Sequence, residues 1–127
     1  MTRTGRCLCG ATTFTAEGEP EWVTFCHCES CRRATSSPAT VFACFPAERV
    51  VFQGDTLQEY ASSPGVTRSF CGTCGSPLSY RTDERADQID LYVAAFDAPE
   101  DLRPTRHDFY GERLSWMIPG DGLPTRE

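Results

Sequence analysis

Short apolar runs broken by turn residues, rather than long amphipathic stretches, set the texture of this chain. Val, Phe, Tyr and Thr concentrate in TVFACF (40–45), RVVFQ (49–53), LQEYAS (57–62), VTRSF (66–70), PLSYRT (77–82) and IDLYVAAF (89–96), with Gly and Pro between them. Runs of this length and composition favour strands. No segment holds a helical period over three turns. ESCRRA and DAPEDL, each with acids near its start, predict short helical turns. FQGDTL places Gly-Asp at an expected hairpin turn, and the last nine residues, PGDGLPTRE, predict an extended tail. No repeat, low-complexity tract or linker interrupts the pattern. The expectation is a mainly β fold in a single domain over residues 1–127, a size that buries roughly two-thirds of its unfolded surface.

Charge narrows the partners. The net charge is -6, and all twelve basic residues are Arg. An acidic chain lacks the positive field that phosphate backbones require, so no nucleic acid is expected as a partner. No apolar run reaches the length of a membrane span, and none follows Met1, so no membrane partner is expected and the default location is the cytoplasm.

The location matters for the eight cysteines. A reducing compartment disfavours structural disulfides and turns attention to metal ligands or redox groups. Cys71-Gly-Thr-Cys74-Gly is a knuckle, in which two thiolates bracket a turn and Gly75 allows the positive φ that closes it. Cys7-Leu-Cys9, in an extended segment, puts both thiols on one face and supplies the other two ligands of a closed tetrahedral zinc site. Cys26, Cys28 and Cys31 remain, one ligand short of closure, as in zinc sites that keep a position for water or substrate. His27, if extended, faces away from its neighbours and is expected as a surface or supporting imidazole, with ligation the lesser alternative. Cys44 is expected as a buried small hydrophobe and Trp116 as core. A disulfide framework is the alternative for the clustered cysteines, and the C-x-C spacing counts against it.

GRCLCGATTFTAEG, FCHCESCRRATSS, YASSPGVTRSFCGTCGSPLSY and PTRHDFYGERLSWMIPGDGLP together resemble the glutathione-dependent formaldehyde-activating enzyme (GFA) family, also called the centromere protein V domain. The resemblance runs over nearly the whole chain. It implies a zinc-stabilised, Mss4-like β-tent fold with short helical turns. It also implies a structural zinc on Cys7, Cys9, Cys71 and Cys74, and a second, catalytic zinc on Cys26, Cys28 and Cys31. The activity it implies is a carbon–sulfur lyase or synthase joining glutathione, or a related small thiol, to formaldehyde or another aldehyde. Three thiolates leave a Zn²⁺ site at net -1, better suited to holding a thiolate than to making hydroxide. Arg32 and Arg33 are the nearest cations in sequence to balance that charge and bind ligand carboxylates, with Arg68 and Arg106 as further candidates. His107 matches a family His and is expected to pin a loop or bond a substrate. Thiols add readily to formaldehyde unaided, so a non-catalytic zinc module or a thiol carrier stands beside the enzyme.

Overall fold

A computed structural model describes residues 1–127 and arranges ten strands in two sheets. In chain order these are β1 (Thr2–Arg6), β2 (Thr13–Glu17), β3 (Trp22–Cys26), β4 (Thr40–Pro46), β5 (Val50–Gln53), β6 (Leu57–Ser63), β7 (Val66–Cys71), β8 (Pro77–Thr82), β9 (Gln88–Tyr92) and β10 (His107–Asp108). The one α-helix, α1 (Glu29–Thr35), lies between β3 and β4, and five single-turn 3-10 helices punctuate the rest of the chain. The smaller sheet has the order β1-β2-β5 and the larger β10-β3-β4-β9-β8-β7-β6. Every pairing is antiparallel except that of β10 with β3. The mainly β expectation holds, and six of the strands fall on the apolar runs named from the sequence. No helix is long and apolar enough to cross a membrane.

Alternation along β4 explains the two layers of packing. Successive side chains of a strand point to opposite faces. Ala43 and Phe45 enter a core shared by both sheets, with Phe14 and Ala16 of β2, Leu78 of β8 and Leu91 of β9. Phe42, just before Ala43, belongs instead to a small buried cluster on the other face with Cys26, Cys31 and Tyr92. One sheet therefore carries the main core on one face and, on the other, two cysteines of the 26–31 motif packed with Phe42 and Tyr92.

Three expectations are corrected. Gly54-Asp55 is a bend but joins no hairpin: β5 pairs with β2, while β6 pairs with β7. The reason is Phe52, which stands opposite Phe14 in register with the ring centroids 5.9 Å apart, so the bend carries the chain from one sheet to the other. Trp116 is 68 % exposed rather than core, because it lies in a turn outside every strand and contributes to neither sheet. The last nine residues extend but do not hang free. Thr125 bridges to His107, whose backbone N–H donates to Pro124 and whose carbonyl accepts from Arg126.

Candidate metal centres

Cys7 leaves the end of β1 and Cys71 closes β7, so the two sheets deliver the first and third cysteines to one place. The Cys7, Cys9, Cys71 and Cys74 sulfurs all lie within 4.8 Å of one another. Cys7 and Cys9 Sγ are 3.7 Å apart, and Cys9 and Cys71 Sγ 3.9 Å. Four sulfurs about 2.3 Å from one tetrahedral zinc would stand about 3.8 Å from each other. The separations are far too long for disulfides, and all eight cysteines are free. Backbone N–H groups of Thr12 and Thr73 donate to Cys7 and Cys71 Sγ, each at 3.4 Å. The Cys71 thiol is held down to about 5, first by a backbone hydrogen bond from Cys74, and that of Cys74 to about 7, first by the Ser76 hydroxyl. Gly75 takes φ +81° and donates its N–H to the Cys71 carbonyl, closing the knuckle. The Cys7–Cys9 segment differs from expectation: it is a turn, with Gly10 N–H on the Cys7 carbonyl, rather than extended backbone. The donor set fits a closed zinc site.

The second cluster is local. Cys26 ends β3, Cys28 is the N-cap of α1, and Cys31 lies in its first turn. The Cys28 sulfur accepts the Cys31 N–H at 3.3 Å, an N-capping bond that also folds Cys31 toward Cys26. The three sulfurs lie within 4.8 Å of one another, with Cys26 and Cys31 buried and Cys28 half-buried. Crowding divides them: hydrogen bonds from Cys26 and then Cys31 hold the Cys28 thiol far below its ordinary range, while the same contact pushes Cys26 up. Three soft donors and no fourth protein ligand suit a thiophilic metal with one position left open.

The cation against these sulfurs is Arg68. Its guanidinium is buried, with Nη2 and Nη1 3.7 and 3.8 Å from Cys31 Sγ. Nη2 also donates to Ser30 Oγ and Nε to Ser62 Oγ, each at 3.2 Å, and the group lies over the Tyr80 ring 5.0 Å from its centroid. Arg33 instead pairs with Glu29 at 2.9 Å on the exposed side of α1, and Arg32 donates to the Glu112 carbonyl at 3.4 Å. Arg106 lies over Trp22 and pairs with Asp108. Nearness in sequence favoured Arg32 and Arg33. The strand register favours Arg68, which stands opposite Tyr80 in the β7–β8 pairing.

Residues 2–112 match the sequence family described as glutathione-dependent formaldehyde-activating enzyme. The chain belongs to this family. Among its curated relatives is an uncharacterized lyase of Schizosaccharomyces pombe, 38% identical over 76 residues, which are 60% of this chain. The match spans about 55% of that relative's length. A crystal structure of a Rhodobacter sphaeroides protein is 19% identical with a TM-score of 0.60, covering 98% of this chain and 99% of the other. At that identity the likeness is one of fold.

Within this GFA-family fold the two histidines support the second cluster rather than join it. His27 is fully buried, and its Nε2 lies 2.9 Å from Nδ1 of His107. His107 Nε2 lies 2.9 Å from Asp121 Oδ2. Burial, then the neighbouring His107, lowers the His27 pKa. Phe25 stacks on the His107 ring at 4.6 Å. The histidines thus tie the Cys26–Cys28 segment to the C-terminal strand, and His107 has the loop-pinning role. Cys44 is fully buried, with its thiol pushed up to about 12 by burial and then by Asp90. The residue that sequence reasoning missed is Tyr92. No motif marks it; its place opposite Phe42 in the β4–β9 register brings it into the cluster with Cys26 and Cys31.

Proposed function

We propose that residues 1–127 act as one GFA-like domain, a zinc-dependent carbon–sulfur lyase or synthase that joins glutathione, or a related small thiol, to formaldehyde or another aldehyde. The observation that carries this reading is the three-cysteine cluster with Arg68 against it. Cys7, Cys9, Cys71 and Cys74 would hold one zinc in a closed, structural role. Cys26, Cys28 and Cys31 would hold a second with a position left for the thiol substrate. Zinc bound there would ionise an incoming thiol at neutral pH, where a free thiol of pKa near 8.5 is only a few per cent thiolate.

The chain's own residues supply the rest. Three protein thiolates and a substrate thiolate would give the second site a net charge of -2. Arg68 offsets half of it from a buried position where water screens little. Arg32 and Arg33, on the outward side of α1, would meet the carboxylates of a glutathione-sized ligand. The reaction is expected in the cytoplasm.

Calorimetry of glutathione binding in two buffers of different ionisation enthalpy tests the reading, with S-methylglutathione as the control that cannot form a thiolate. Glutathione should bind with proton release and the methylated analogue much more weakly. Equal affinities rule out ligation through sulfur. Absence of binding by both favours a zinc-stabilised module without catalysis.

A further inference from the structure

Tyr92 is buried, and its hydroxyl has no hydrogen-bond partner. A buried donor left unpaired is a net cost to the folded state, and native proteins keep few of them. The ring packs with Cys26, Cys31 and Phe42, its centroid 4.5 Å from that of Phe42. Arg68, Cys31 and Cys26 act on the hydroxyl electrostatically, and none of them stands in hydrogen-bonding geometry to it. Arg68 itself is engaged by Cys31, Ser30 and Ser62. Thr40 Oγ1, opposite Cys26 in the β3–β4 register, and Arg32 Nε are also buried without partners, but the Tyr92 hydroxyl is the unpaired donor whose side chain packs in one buried cluster with both Cys26 and Cys31.

We propose that Tyr92 is a catalytic residue of this site, whose O–H donates a hydrogen bond to the carbonyl oxygen of the aldehyde as that oxygen takes up negative charge. The inference rests on the thiol–aldehyde reading above. In the addition, the substrate sulfur forms a bond to the carbonyl carbon and the C=O π pair moves onto oxygen. That oxygen then takes the proton the thiol gave up on ionising, so nothing is oxidised or reduced. A neutral donor that is already unpaired has no hydrogen bond to give up when the charge appears, which favours a contact of the kind that lowers a barrier. In the reverse, lyase direction the same contact stabilises the alkoxide before the carbon–sulfur bond breaks.

The test compares the full zinc-loaded chain with its Tyr92→Phe variant. Two small probes, thioacetate and ethanethiol, are titrated into each; thioacetate carries an oxygen one carbon from sulfur, as the adduct does, and ethanethiol carries none. The ratio of their affinities in the parent divided by the ratio in the variant cancels the difference in thiol acidity and isolates the contact with oxygen. The expected value is about ten. Melting should be unchanged or slightly raised in Tyr92→Phe, since the variant removes an unpaired group. A double ratio of one overturns the role of Tyr92, as does failure of both probes to bind, which also overturns the open thiol position. With glutathione and ¹³C-formaldehyde, exchange NMR should show the parent accelerating adduct formation and the variant about a hundredfold less effective. No acceleration by the parent, with the double ratio intact, leaves Tyr92 as the oxygen donor and overturns the glutathione–formaldehyde substrate pair.

Discussion

Arg68 and Cys31 are separated by 37 positions yet lie in contact, while Arg32, bonded to Cys31 through the chain, turns its guanidinium to Glu112. The contrast predicts unequal effects of removing charge. Arg68→Met should weaken zinc retention at the three-cysteine site by about tenfold, since it deletes charge-assisted contacts to a buried sulfur. Arg33→Gln, whose partner is the exposed Glu29, should leave retention unchanged. Competition with a chromogenic chelator measures both, and equal effects in the two variants would defeat the assignment. Cys28→Ser should likewise lower affinity at this site while shifting the melting temperature little, because the site staples only neighbouring residues. Complete unfolding of that variant would mean that both clusters are structural. At this scale the grouping of the seven cysteines was legible, because motif spacing limits which thiols can meet. Which of the candidate Arg residues meets Cys31, and the place of Tyr92, were not, because both depend on strand register, which no local pattern of this chain encodes.

Strands were legible where β-branched and aromatic residues ran together, and β4 and β6 to β8 lie almost where their composition places them. β1, β2 and β3 were not marked out: β1 is TRTGR, whose Thr, Arg and Gly give no apolar run, and β3 is cut short by the cysteine motif. What holds β1 in place is a close approach that only the assembled sheet reveals. Gly5 stands opposite Phe14 in register, and a Cβ there would collide with the Phe14 ring and the Ala95 carbonyl. Gly5→Ala is expected to destabilise the fold by about 1–3 kcal/mol through overpacking. Urea unfolding followed by Trp fluorescence gives the value, and a change below about 0.5 kcal/mol would show that the ring can move aside. The same dependence on neighbours explains the misplaced hairpin. Gly54-Asp55 has the right residues for one, but the Phe52 ring draws β5 to the other sheet.

Across the whole molecule, Cys7 and Cys9 follow a strand of the small sheet, and Cys71 and Cys74 end a strand of the large one. A metal held there would clamp the sheets together, and its binding energy would become folding energy. At a thousandfold excess over its dissociation constant, such a ligand adds about 4 kcal/mol, or roughly 10–20 °C in melting temperature for a chain this long. Stripping the protein with a strong chelator should lower its melting temperature by about that much, and Cys71→Ser should do the same or leave the chain insoluble. A soluble Cys71→Ser protein with parental melting and one zinc fewer would refute the structural role. The same geometry gives the two clusters different birth dates on the ribosome. Cys26, Cys28 and Cys31 are all present once residue 31 has been made, whereas the other set waits for Cys74. At about 5–20 residues per second, that is an interval of roughly two to nine seconds. During it the nascent chain offers a complete thiol triad while Cys7 and Cys9 lack their partners. The order in which the two clusters become available to metal is thus written into the order of translation: the local triad is complete first, and the set that spans both sheets only afterwards.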